Sequence, residues 1–218
     1  MLQLGAADAV SALRAARIFE KDVAAIDINM GCAKHYAISG GMGAQLMTDQ
    51  RTAEDIVKTL RRNLSIPVSV KTRVFTQEKS SSVPTTSVDI HKSCEWAQLL
   101  QAAGASAITV HARASGEKMF DATHDNIYSF LYQTLVTTGT HLICNGDIFT
   151  YDDVERIRRS ARGDDIVDEC CRGNGLNFMM ARAALWDPSI FRNFKVRSTC
   201  SYCADSVNKF CVTYDLSD

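Results

Sequence analysis

The first residue of this chain that could do chemistry is Cys32. It closes the run Asp27-Ile28-Asn29-Met30-Gly31-Cys32 and precedes the glycine cluster Gly40-Gly41-Met42-Gly43. An apolar strand (Ala24, Ala25, Ile26, Ile28) leading into Asn-x-Gly-Cys sets the thiol at a strand's carboxyl end, where α/β folds keep reactive groups. Further along, apolar runs end in side chains that a buried strand does not otherwise tolerate: Lys71 and Arg73, His111 and Arg113, Asn145 and Asp147, and Arg182. A thiol, cationic donors and an imidazole at successive strand ends are ingredients of proton transfer and anion binding. Taken singly, each has a bland alternative. Cys32 reads equally as a buried thiol, Lys71 as a snorkelling surface lysine, His111 as a core histidine bonded to backbone, and Asn145-Gly146-Asp147 as a turn.

Repeated βα units would position those ends. Strands are predicted at 2–4, 25–30, 67–74, 107–111, 141–146 and 177–181, and amphipathic helices at 8–21, 52–63, 89–103 and 151–160. Asp8 and Ser11 are candidate caps of the first helix and Thr52 of the second. Polar residues on one end of successive strands predict an α/β fold of the TIM (β/α)8 type, with its active site at the C-terminal face. A doubly wound sheet is the structural rival, but it needs a Gly-x-Gly-x-x-Gly fingerprint that this sequence lacks.

The 218 residues, 46% hydrophobic, suffice for a sizeable core and read as a soluble domain with a tail. With 24 Lys and Arg against 25 Asp and Glu, no global positive field draws the chain to nucleic acid or anionic lipid. Met1-Leu2-Gln3 opens no signal peptide and no run approaches a membrane span, so the expected compartment is the cytoplasm, with most of the eight cysteines reduced.

Seven motifs carry a resemblance. Leu2-Gln3-Leu4-Gly5, Asp27-Ile28-Asn29-Met30-Gly31-Cys32-Ala33-Lys34, Gly40-Gly41-Met42-Gly43-Ala44, Val70-Lys71-Thr72-Arg73, Val110-His111-Ala112-Arg113, Asn145-Gly146-Asp147 and Met180-Ala181-Arg182-Ala183-Ala184 resemble the tRNA-dihydrouridine synthases in order and spacing. The pairing of Asn-Met-Gly-Cys with Gly-Gly-Met-Gly is similar to the eukaryotic class acting on D-loop uridine 20. The resemblance implies an FMN-binding barrel reduced by NADPH or NADH, with hydride passing to C6 of a tRNA uracil and Cys32 protonating C5 as general acid. An ordinary thiol, with a pKa of about 8.5, suits that role because it is protonated at neutral pH. Implied flavin contacts are Gln3, at the polar edge of the isoalloxazine ring, Lys71, His111, Asn145, Gly146, Asp147, Ala181 and Arg182, whose planar fork suits the phosphate. Implied substrate contacts are Asn29, Lys71 and Arg113, and no metal is expected. Gly40 to Gly43 reads either as part of the substrate loop beside Cys32 or as a simple turn.

Departures from the family pattern set further expectations. Ala33 stands where proline is usual, which loosens the backbone after Cys32, and Ala112 stands where glycine is usual, with a methyl that would crowd the flavin if the backbone there needs close approach or positive φ. Six strands, rather than a barrel's eight, predict the loss of the first two, an exposed sheet edge and an open flavin site. A stable monomer with stoichiometric FMN would count against that. Residues 1–192 are expected to form the partial barrel and 193–218 the start of a helical segment. The Ser/Thr-rich stretch 76–87 reads as a mobile loop and 162–174 as a solvated insertion, and the thiols of Cys200, Cys203 and Cys211 fall one ligand short of a zinc site. Basic clusters at Arg61-Arg62, at Arg156, Arg158 and Arg159, and at Arg192, Lys195 and Arg197 would support only weak tRNA binding.

Three functions follow: a tRNA-uridine reductase, another FMN barrel of the dihydroorotate dehydrogenase type, or a catalytically silent binding or regulatory fragment.

Overall fold

The computed structural model describes residues 1–77, 87–162 and 176–191. In chain order the elements are β1 (Leu2–Leu4), α1 (Ala9–Phe19), β2 (Ile26–Met30), α2 (His35–Ser39), a 3-10 turn (Gly43–Met47), α3 (Gln50–Asn63), β3 (Val68–Val74) and α4 (Ile90–Ala102). They continue with β4 (Ala107–Ala114), α5 (Ile127–Leu135), a second 3-10 turn (Val136–Thr138), β5 (His141–Asn145), α6 (Tyr151–Arg162), β6 (Asn177–Met179) and α7 (Arg182–Trp186). Among the described residues, every pairing between these strands is parallel and they stand in sequence order, with β1 and β6 at the two edges. This is an α/β fold built of consecutive βα units, in keeping with a TIM-barrel-like domain.

Side-chain alternation divides the sheet into two unlike faces. Ile26, Ile28 and Met30 of β2, Val68, Val70 and Val74 of β3, and Ile108, Val110 and Ala112 of β4 are buried in the apolar core. The intervening residues are Asp27 and Asn29, Ser69, Lys71 and Arg73, and Thr109, His111 and Arg113, so the other face is almost wholly polar. Parallel registers place Asn29 beside Lys71, Arg73 beside His111, and His111 beside Asn145.

The helices cover the apolar face with stripes at helical spacing: Ala9, Ala12 and Ala16 on α1, Ala53, Ile56, Val57 and Leu60 on α3, Ser93, Trp96, Ala97 and Leu100 on α4, and Val154, Ile157 and Ala161 on α6. Trp96 is fixed there by an indole N–H donated to Thr72 Oγ1 at 2.9 Å and by an edge-on contact with Phe75.

Capping agrees with the sequence at one helix and corrects it at another. Asp8 accepts from the Ser11 amide at 2.8 Å, but α3 begins earlier than expected, and Asp49 caps it by accepting from Thr52 N at 3.2 Å. Thr52 therefore lies inside the first turn. Helix α5 is an addition to the sequence reading: its residues Ile-Tyr-Ser-Phe-Leu-Tyr-Gln-Thr-Leu carry no charge to mark an outer face, yet Ile127, Tyr128, Leu131 and Leu135 form its buried stripe.

The insertion of 162–174 lies almost wholly outside the described residues, as do most of 76–87 and the tail with Cys200, Cys203 and Cys211. Among the described residues, no helix is long and apolar enough to cross a membrane and no group of His, Cys, Asp and Glu side chains forms a metal cluster.

Candidate active site

The polar face of the sheet opens at its C-terminal end into a cavity of about 320 Å³. Asn29, Cys32, Lys71, His111 and Arg113 line it from β2, β3 and β4, and Asn145, Gly146, Asp147, Ala181 and Arg182 complete it from β5 and β6 onward. Ten of the eleven residues for which the resemblance implies a catalytic, flavin or substrate role thus share one wall. The eleventh, Gln3, is not part of the wall; its amide oxygen accepts from Asn29 Nδ2 at 3.0 Å, one bond behind it.

The loop carrying Cys32 is tied on both sides. Asn29 Oδ1 accepts from the backbone N–H groups of Gly31 and Cys32 at 3.0 and 2.9 Å, while the Cys32 carbonyl accepts from Ala44 N at 2.8 Å. Gly43 makes that second tie possible. It sits at φ +61°, and a Cβ there would fall 2.4 Å from the Cys32 carbonyl oxygen. The glycine cluster therefore packs directly onto the thiol's loop. Arg73, which the sequence placed at a strand end without a role, donates Nε–H to the Gly31 carbonyl at 2.7 Å.

Asp147 is the shared counter-ion of two arginines. Both terminal nitrogens of Arg113, whose side chain is 3% exposed, bond the Asp147 carboxylate, and Arg182 Nη2 reaches Oδ1 at 2.5 Å. Arg182 also stacks over Phe149 at 5.1 Å. Asn145 turns its amide onto the Met179 carbonyl at 3.0 Å. Its backbone is clamped by Tyr128, whose hydroxyl donates to the Asn145 carbonyl at 2.6 Å and accepts from its N–H at 3.2 Å. Nothing in the sequence marked Tyr128, an aromatic in an apolar run. Glu117, likewise unmarked, lines the cavity and pairs with His124 at 2.7 Å.

Ala112 departs from expectation. It is fully buried in the apolar core and does not line the cavity; among the described residues Asp147 is the only non-glycine with positive φ. Its methyl neither crowds the site nor strains the strand.

Burial, reinforced by the charges of Arg73, Lys71, Arg113 and Arg182, pushes the His111 imidazole down to about 2. His111 is therefore neutral at physiological pH, with one ring nitrogen a donor and the other an acceptor. An unfolded histidine takes a proton near pH 6.5, so acidification below that value protonates the unfolded chain first and lowers stability, by at most about 1.4 kcal/mol per pH unit. The His111 NMR signals are expected to stay constant between about pH 5 and 8; a midpoint near 6.5 would refute the assignment. Burial also raises the Asp27 carboxyl, against the hydrogen bonds of Ser69 and Gln3 and the charge of Lys71.

The wall fits a flavin mononucleotide. Lys34, Lys71, Arg73, Arg113 and Arg182 outnumber Glu117 and Asp147, an excess that suits an anionic group, while Met119, Ile148, Phe149 and Met179 give apolar surface for a ring. At Gly146, φ +122°, a Cβ would stand 2.8 Å from the His111 ring, so the bare backbone is required for this close approach.

The chain is 28% identical to the tRNA-dihydrouridine(16/17) synthase [NAD(P)(+)] of Saccharomyces cerevisiae, over 88% of this chain and 40% of the relative. It is also 28% identical to the tRNA-dihydrouridine(20) synthase [NAD(P)+] of Schizosaccharomyces pombe (88% and 36%) and to the human tRNA-dihydrouridine(20a/20b) synthase [NAD(P)+]-like protein (89% and 54%). It thus spans between 36 and 54% of the length of these relatives, and identity is equal across the three positional classes. The solved phosphoenolpyruvate phosphomutase of Streptomyces platensis subsp. rosaceus superposes with a TM-score of 0.56 over 98% of this chain and 76% of that one, at 12% identity, a likeness of fold alone. The family model for dihydrouridine synthase matches residues 1–213, and the chain belongs to that family.

Proposed function

We propose that this protein reduces a tRNA D-loop uridine, at position 20, to 5,6-dihydrouridine in the cytoplasm, using FMN and NADPH or NADH. The observation that carries this reading is the convergence of Cys32, Asn29, Lys71, His111 and Arg182 on one cavity in a chain that matches the dihydrouridine synthase model. The names of the relatives supply the tRNA substrate and the nicotinamide. Position 20 rests on the Asn-Met-Gly-Cys and Gly-Gly-Met-Gly motifs, which pack together through Gly43. The six strands are read as consecutive members of an eight-stranded barrel.

Bound FMN would supply uracil C6 with the hydride taken from the nicotinamide. The protein's own residues have complementary tasks. Cys32 gives its Sγ proton to C5, Asn29 orients the uracil, and Lys71 and neutral His111 offer donors where charge develops. Arg182 would hold the flavin phosphate, with Asn145, Gly146 and Ala181 completing the flavin wall, while Gln3, whose amide bonds Asp27 and Asn29, would act from behind that wall rather than at the edge of the ring. Arg113 serves the substrate side.

The test is to load the purified protein with FMN, remove the excess, record the visible spectrum, and then supply NADPH and unmodified tRNA. A retained flavin band with dihydrouridine formation is expected; a folded, colourless protein overturns the reading in favour of a silent binding fragment. Arg182→Ala is expected to weaken FMN retention about ten- to a hundredfold, the value of a charge-assisted hydrogen bond. Unchanged affinity would remove the phosphate role.

A further inference from the structure

Asp27 is the most deeply buried charged side chain beside the site, 1% exposed, and the reaction outlined above does not use it. It lies on the polar face of β2 in register with Gln3 on one side and Ser69 on the other. Its Oδ1 accepts from Ser69 Oγ at 2.5 Å and its Oδ2 from Gln3 Nε2 at 2.7 Å. Gln3 Oε1 then accepts from Asn29 Nδ2, and Asn29 Oδ1 accepts from the Gly31 and Cys32 amides. Asp27, Gln3 and Asn29, from two strands, form one unbroken path from the buried carboxylate to the backbone of Cys32, and Ser69 of β3 anchors its far end.

The path has a direction fixed at both ends, by Asp27 and by the N–H groups of the loop. An amide side chain can be turned over with little change of shape, whereas a carboxylate only accepts. Gln3 must therefore present its NH2 to Asp27 and its oxygen to Asn29; Asn29 must present its NH2 to Gln3 and its oxygen to the loop. Reversal at any point would face oxygen with oxygen, or turn an amide NH2 toward the Gly31 and Cys32 N–H groups and strand both donors. We infer that Asp27 is a positioning residue: through Gln3 and Asn29 it fixes the amide orientations of the site wall and holds the Cys32 loop in place. This rests on the dihydrouridine reading only for the purpose of the loop; the relay itself is a property of the folded chain.

Amide hydrogen exchange tests it without flavin or tRNA. Asp27→Leu keeps an apolar-compatible volume and removes the acceptor; Asp27→Asn keeps an acceptor for Gln3, and Ser69 can rotate to accept from the new NH2. Gln3→Leu, on edge strand β1, cuts the path without touching the buried carboxyl and serves should Asp27→Leu not fold. Exchange at Gly31 and Cys32 is expected to quicken at least about tenfold in both leucine variants, with Ile28 unchanged, and to remain near the parental rate in Asp27→Asn. A packing role predicts instead that leucine is tolerated at least as well as asparagine. Parental exchange at Gly31 and Cys32 in Gln3→Leu would overturn the relay. Relay behaviour as expected, in a parent that forms no dihydrouridine, would count against the reaction and not against Asp27.

Discussion

Replacement of Cys32 by alanine is expected to leave reduction of bound flavin by NADPH within about twofold of the parent and to cut dihydrouridine formation by about 10²- to 10⁴-fold, the usual contribution of a positioned general acid. The separation follows from where the residue's bonds lie. Its backbone N–H and carbonyl hold the loop, through Asn29 and Ala44, and both survive the substitution. Only the thiol, on the cavity wall, is lost. Nicotinamide oxidation needs no proton at uracil C5, so its rate reports whether the site is intact, and tRNA product reports the acid. Stopped-flow bleaching of the flavin band and product quantification on the same preparation make the two measurements. Product at the parental rate would remove Cys32 from the chemistry; loss of flavin reduction as well would mean that the thiol supports the site rather than the proton transfer.

The sequence allowed the site to be anticipated where chain direction alone determines proximity. In a parallel sheet all strands finish on the same side, so Asn29, Lys71, His111 and Asn145 meet once the strands are recognised. Valines 68, 70 and 74 alternating with Ser69, Lys71 and Arg73 carried more than their strand ends: they marked a strand with one face on the core and one on the site, unusual for parallel strands, which tend to be apolar on both faces. The same alternation in β4 places Ala112 among the inward apolar residues, and shows why its methyl cannot reach the cavity on the opposite face.

What escaped the sequence were choices between competing partners. Asp49 and Thr52 are both capping residues three positions apart, and the carboxylate takes the role with a longer helix as the result. Tyr128 comes from a helix with no charged face, and its value lies in a hydroxyl that finds the backbone of Asn145, seventeen residues away. Asp147 read as a flavin contact, and local pattern could not add that Arg113 and Arg182, 34 and 35 residues distant, both close on it.

That shared carboxylate gives the second large effect. Asp147→Asn is expected to lower unfolding free energy by about 2–3 kcal/mol, measured as a fall in the urea midpoint at unchanged slope. Breaking a buried pair usually costs about 3–5 kcal/mol because the surviving charge is left without compensation. Arg113 is such a charge at 3% exposure, while Asp147 at 30% and Arg182 at 26% are wet enough to soften the loss. Asparagine tolerates the residue's φ of +47° as well as aspartate does, so backbone strain adds nothing. Flavin retention supplies the contrast. If Asp147 acts as counter-ion, its neutralisation leaves the wall more positive, and FMN is held at least as tightly although the protein is less stable. If Asp147 is instead a ligand of the flavin, stability and retention fall together.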